Sequence, residues 1–114
     1  MGQILDKRTK DARYYDIDCS FLLSKGETIS SVTSITADQG GLVFGAASPN
    51  GAAVTYSDGR TVPIGQVAQV QISGGVIPTG QPFLICIVRA LLLTSLNPAV
   101  EATVLLRLVD TPNI

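Results

Sequence analysis

Tyr15, Ile17, Cys19 and Phe21 alternate with Asp16, Asp18 and Ser20, a period of two that places the first set on one face of a β-strand. After a turn at Lys25-Gly26-Glu27, residues 28–37 are dense in Thr, Ser, Val and Ile, side chains that suit a pleated surface better than a helix. Gln39-Gly40-Gly41 breaks that run, and Leu42-Val43-Phe44 starts a third strand. Ser48-Pro49-Asn50-Gly51 and Ser57-Asp58-Gly59-Arg60 read as tight turns, because Asn-Gly and Asp-Gly tolerate positive φ. Around them, 52–56 and 61–64 are short strands of a small meander or projecting hairpin. Ala68, Val70 and Ile72 alternate with Val67, Gln69 and Gln71 in a half-buried strand that ends at Ser73-Gly74-Gly75.

Residues 83–93 are apolar on both faces except for Arg89, the pattern of a central strand covered on both sides. The run Ala90-Leu91-Leu92-Leu93 also suits a helix, but the β-branched Ile85, Ile87 and Val88 favour a strand. Val100, Ala102, Val104, Leu106 and Leu108 alternate with Glu101, Thr103, Leu105, Arg107 and Val109 in the last strand. Seven or eight short strands joined by Gly and Pro turns, with no amphipathic helix, predict an all-β, immunoglobulin-like antiparallel β-sandwich. At 114 residues the chain holds one such domain, over 14–114, preceded by an extended arm over 1–13.

Composition narrows the chemistry. There is no histidine and no tryptophan, with three Tyr and three Phe, so the usual proton shuttles and most stacking platforms are missing. A Ser-His-Asp or Cys-His site is therefore excluded, and no enzymatic activity, cofactor or metal is expected. Eight basic against nine acidic residues give a net charge of -1, which offers no general attraction to nucleic acid or an anionic membrane. The segment 1–13 is nonetheless basic: Lys7, Arg8, Lys10 and Arg13 outnumber Asp6 and Asp11. It reads either as an extension gripping an acidic neighbour or as a solvated terminus. No apolar leader follows Ile4-Leu5, so the product is expected to stay in the cytosol where it is made; Cys19 and Cys86, 67 residues apart, would suit an inter-sheet bridge, but the reducing cytosol favours two buried, reduced thiols.

Individual residues remain as candidates. Asp16 and Asp18 fall on one side of the first strand, where they could share a cation or work as an acid/base pair, or simply keep that face wetted. Arg89 must reach an edge, pair with a carboxylate such as Glu101, or protrude into a partner. Of Tyr14 and Tyr15, beside Arg13, one belongs to the core and the other suits an interface. Tyr56 and Asp58 would face a sugar if the sandwich were a carbohydrate-binding module. The surplus of apolar over charged residues, 46% against 15%, points instead to a lasting contact with another subunit.

The order Tyr15-Asp16-Ile17-Asp18-Cys19-Ser20-Phe21-Leu22, Lys25-Gly26-Glu27-Thr28-Ile29, Gly41-Leu42-Val43, Gln71-Ile72-Ser73-Gly74-Gly75 and the closing strand resembles small immunoglobulin-like virion proteins of tailed bacteriophages. These are fibre-tail or head-tail adaptors, or capsid decoration proteins. The resemblance spans 14–110 and implies a virion structural protein, homo-oligomeric in the particle, docking on portal, tail, fibre or major capsid protein. Lys7, Arg8, Lys10, Arg13, Tyr14 and Arg89 are then the expected docking residues, and no catalytic residue carries over. Two segments depart from the family pattern: 48–66 is longer, and 91–98 is apolar where a short polar turn is usual.

Overall fold

The structure, a computed structural model, describes residues 4–110. Nine strands form in chain order: β1 (Ile4–Arg8), β2 (Arg13–Asp18), β3 (Ile29–Ala37), β4 (Leu42–Pro49), β5 (Val54–Thr55), β6 (Thr61–Val62), β7 (Val67–Gly74), β8 (Phe83–Thr94) and β9 (Val100–Val109). They make a four-stranded sheet, β1-β9-β8-β3, facing a three-stranded sheet, β2-β7-β4, with β5-β6 as a separate hairpin. The orders β2-β7-β4 and β9-β8-β3 reproduce the B-E-D and G-F-C arrangement of the immunoglobulin sandwich. Among the described residues no α-helix forms, and a single 3-10 turn covers Ser20–Leu22.

Period-two patterning fixes the register. In β9, Ala102, Val104, Leu106 and Leu108 point inward, opposite Ala90, Val88, Cys86 and Leu84 of β8, and Leu92 joins the same core. From the other sheet Ile17, Ala68, Val70 and Ile72 close against them. At about 25 cal/mol per Å² of apolar surface, burial of these side chains is the main force holding the two layers together.

Several sequence expectations are corrected. The described part of the basic arm is no arm: Ile4–Arg8 is a strand of the main sheet, parallel to β9, with Leu5 paired to Leu106 and Lys7 to Leu108. The sandwich is therefore not wholly antiparallel. Residues 1–3 and 111–114 lie outside the described residues. The first strand of the reading ends at Asp18, because the chain turns in the 3-10 segment and leaves Phe21 exposed. Val67 is buried as well as Ala68, at the base of the segment that Asn50 closes, where its N–H donates to Asn50 Oδ1 at 3.0 Å. Asn50-Gly51 is not a tight positive-φ turn; glycines alone have positive φ among the described residues, and Gly51 is not one of them.

The largest correction concerns β8. It is central, between β9 and β3, but only one of its faces is covered. Phe83, Ile85 and Leu93 on the other face are exposed.

Gly40 and Gly75 set the turns at one end of the sandwich. Both have positive φ, and a Cβ at either would strike the core: 2.7 Å from Cys86 Sγ at Gly40, and 2.9 Å from Leu108 Cδ1 at Gly75. Cys86 lies at this end. Cys19 lies at the other, its backbone N–H donating to Gln66 at the start of β7, so the two buried thiols are free and far from a bridge.

Candidate docking surfaces

The end of the sandwich that holds Cys19 carries three loops tied together around one buried carboxylate. Glu27 is 1% exposed. Its Oε1 accepts from the Ser24 N–H at 2.8 Å, and its Oε2 accepts from Asn97 Nδ2 at 2.7 Å and from the Thr94 hydroxyl. These donors hold its carboxyl below the usual range, Thr94 contributing most and burial opposing. The Asn97 N–H donates to Thr94 Oγ1 at 2.9 Å, Ser95 N–H to the Thr28 carbonyl at 2.8 Å, and Ile29 N–H to the Gly65 carbonyl at 2.7 Å. The segments so joined present Phe21, Leu22, Ile64 and Leu96, all exposed. Four exposed apolar residues thus sit on segments that one polar knot joins. The sequence signals the apolar residues, and the Ser24-x-x-Glu27 spacing marks one local contact of Glu27, but its partners on the β8–β9 turn are 67 and 70 positions away.

The second surface is the uncovered face of the four-stranded sheet. Cross-strand register places Phe83 beside Val109, Ile85 beside Arg107, Ile87 beside Leu105, Arg89 beside Thr103 and Leu91 beside Glu101, while Ile4 adjoins Leu105 from β1. Two ion pairs lie within the face, Arg107 Nε with Asp6 Oδ1 at 2.8 Å and Arg89 Nε with Glu101 Oε1 at 3.9 Å, and Arg8 is exposed at its β1 rim. Arg89 therefore takes the pairing expected of it.

The other expected docking residues divide. Lys7, Arg8 and Arg13 come together with Asp6, Asp11, Arg107 and Val109 around a cleft of about 450 Å³ at the β1–β2 turn, where Arg13 Nε pairs with Asp11 Oδ2 at 3.2 Å. Lys7 lines this cleft yet is 2% exposed, so it cannot grip a neighbour; its inward position on β1 dictates that. Lys10 is exposed in the same turn. Tyr14 is 73% exposed on β2, while Tyr15 packs on the core and donates its hydroxyl to the Asp6 carbonyl at 3.1 Å. Arg89 stands apart on the sheet face.

Asp16 and Asp18 do not share a solvent face. Asp16 accepts from Gln69 Nε2 at 3.0 Å. Asp18 is buried, accepting from the Ser20 N–H and hydroxyl and from Arg60 Nη1 at 2.5 Å. Burial alone would raise its carboxyl; Ser20 and Arg60 outweigh that and hold it below the usual range. The Arg60 guanidinium also lies 5.0 Å from the centre of the Tyr56 ring, covering one face on which a sugar would stack. Burial, with Asp18 and Asp16 nearby, pushes the Tyr56 hydroxyl up to about 12. Burial likewise pushes the Cys19 thiol up to about 11 and raises Cys86, so both stay as inert thiols at neutral pH. Among the described residues no three His, Cys, Asp or Glu side chains converge as a metal site would require.

Asn50 roots the β5–β6 hairpin. Its Oδ1 accepts from the N–H groups of Gly65, Gln66 and Val67, and its Nδ2 donates to the carbonyls of Ala52 and Pro63. The Asn-Gly pair predicts a turn, yet the asparagine works as a staple closing the base of residues 51–66.

No protein family, curated protein or solved structure matches the chain.

Proposed function

We propose that the protein is a non-enzymatic structural component of a bacteriophage virion, of the fibre-tail or head-tail adaptor type, which docks on other virion proteins through its apolar loop end. The observation that carries the reading is the Glu27 knot. A buried carboxylate hydrogen-bonded to Ser24, Thr94 and Asn97 ties together the loops that bear Phe21, Leu22, Ile64 and Leu96. It preorganises an apolar tip, and preorganisation lowers the entropic cost of docking. Assignment to a virion rests on the sequence resemblance over 14–110, to which the all-β sandwich is suited.

Mass spectrometry of purified particles tests this reading. The protein is expected in virions at on the order of a dozen copies, as closed symmetry at a neck or tail position requires. The paired substitutions Phe21→Ser and Leu96→Ser should reduce its incorporation about tenfold or more, as loss of an interface anchor does. Hundreds of copies would make it a capsid decoration protein instead, and absence from particles would overturn the virion assignment.

A further inference from the structure

The uncovered face of the four-stranded sheet has a different occupant. We propose that it is covered by a second copy of this chain, in a two-fold dimer that packs sheet against sheet. The proposal deepens the docking reading: the loop end remains free for the other virion protein, and the sheet face joins the copies.

Extent comes first. Strands of 5, 10, 12 and 9 residues, about 4.8 Å apart at roughly 3.3 Å per residue, give a face of roughly 570 Å² in projection. Two such faces bury on the order of 1,100 Å², above the roughly 1,000 Å² that a specific interface needs. The apolar part forms two groups: Phe83, Ile85 and Ile87 on β8 with Val109 and Leu105 on β9, around Arg107, and, beyond Arg89, Leu91 and Leu93.

Charge comes second. Arg107 with Asp6 and Arg89 with Glu101 are already paired within the face, and Arg8 lies at its rim on the edge strand β1, so an identical face meets it with little net repulsion. Geometry strengthens the point. A two-fold axis running along the strands between β8 and β9 exchanges the two strands, so each residue faces the copy of its own cross-strand neighbour. Ile87 then lies over the second copy's Leu105, Phe83 over Val109, and Leu91 over Glu101, while Arg89 and Arg107 lie over Thr103 and Ile85. No like charges coincide. Sheets stacked this way adopt the aligned packing common in β-sandwiches.

The edges come third. Growth of the sheet edge to edge is blocked on one side by Lys7, a charge pointing inward from the edge strand β1. On the other side β3 carries register shifts between Ile29 and Ser31 and between Val32 and Ser34, bulges that spoil pairing with a new strand. Face-to-face closure is the association these edges leave open.

Light scattering and sedimentation equilibrium of the full chain test the dimer. The expected mass is twice the 11.9 kDa of the chain at micromolar concentration. Leu105→Glu, which buries an unpaired carboxylate at the centre of the interface, should weaken dimerisation roughly a hundredfold or more while circular dichroism stays that of a folded β protein. Should that variant fail to fold, Thr103→Arg, at an exposed position that faces Arg89 of the second copy, should weaken it in the same direction. A wild-type monomer at every concentration overturns the proposal, and so does a dimer that survives a folded Leu105→Glu or Thr103→Arg. Phe21→Ser separates the two readings: it should leave the dimer intact while incorporation into particles falls. Loss of the dimer in Phe21→Ser would place the contact at the loop end and overturn the sheet-face assignment.

Discussion

The ammonium group of Lys7 donates to the carbonyl oxygen of Gly74 at 2.5 Å, joining the edge strand of one sheet to the end of the middle strand of the other. A second bond, to the Arg8 carbonyl at 2.8 Å, occupies the same nitrogen. Burial pulls the Lys7 ammonium below its usual range, with the Asp11 carboxylate opposing. A charge held inside an edge strand makes that edge a poor template for another chain, because pairing there would strand the ammonium further from water.

Lys7→Met keeps the packing of the aliphatic stem and removes the charge. It leaves the Gly74 carbonyl without its ammonium donor, at a cost of about 1–3 kcal/mol, offset in part by ending the burial of a cation. Urea unfolding should therefore place its stability within about 2 kcal/mol of wild type. Static light scattering should show growing aggregates absent from the wild type. A variant that stays dispersed would mean that Lys7 guards nothing.

Gly40 and Gly75 separate two kinds of glycine. Gly59 also has positive φ, but nothing lies within 4 Å of a Cβ there, so Gly59→Ala bears only the backbone penalty of about 1–2 kcal/mol. Gly40→Ala adds a 2.7 Å contact with Cys86 Sγ in the core and should lose about 2–4 kcal/mol. Chemical denaturation of the two variants side by side checks the difference. Equal losses would show that the core gives way around Cys86.

Tyr56 buries a hydroxyl that finds no hydrogen-bond partner among the described residues. Removing such a group relieves a desolvation cost of about 1–3 kcal/mol, so Tyr56→Phe should be as stable as wild type or more stable by about 1 kcal/mol. The pH dependence carries a sign as well. Folding raises this phenol from 10.0 to about 12, so its contribution is present below pH 10 and is lost as pH rises toward 12. Thermal melts across that window should fall less steeply for Tyr56→Phe. A large loss of stability at neutral pH would reveal a partner for the hydroxyl.

How far the sequence discloses this molecule depends on the range of each signal. The alternation in β9 and in Ala68, Val70 and Ile72 is local, and it locates both strands and their inner faces directly. β1 escapes that reading because its inward positions are Leu5 and Lys7, and a lysine in an inward slot looks like a surface residue until Gly74 is found above it. β8 is misread for the opposite reason: apolar residues on both faces suggest two covers within the fold, whereas the chain supplies one. Asp18 looks solvated beside Asp16, yet Arg60, 42 positions away, draws it inside. Glu27, Asn50 and Asp18 each join a local contact, to Ser24, Ala52 and Ser20, to distant ones that only the closed fold creates.

Glu27 joins stability to the tip. In the folded protein its carboxyl titrates below the ordinary 4.5, and Asp18 titrates below its ordinary 3.8. A carboxyl depressed by folding stabilises the protein above its unfolded value and loses that contribution as pH falls through its folded value. Melting temperature should therefore drop as pH falls from about 5 toward 2, and Glu27→Gln should make that drop shallower while lowering the melting temperature at pH 7. The amide still offers an oxygen to Ser24 N–H or Asn97 Nδ2, but its nitrogen cannot accept. Hydrogen exchange should accordingly quicken at Ser24 and Asn97 ahead of the β8–β9 ladder, and incorporation into particles should fall even where the sandwich stays folded. Unchanged exchange at both amides in Glu27→Gln would show that the loops hold Phe21 and Leu96 in place without the carboxylate, removing the knot as the support of the docking end.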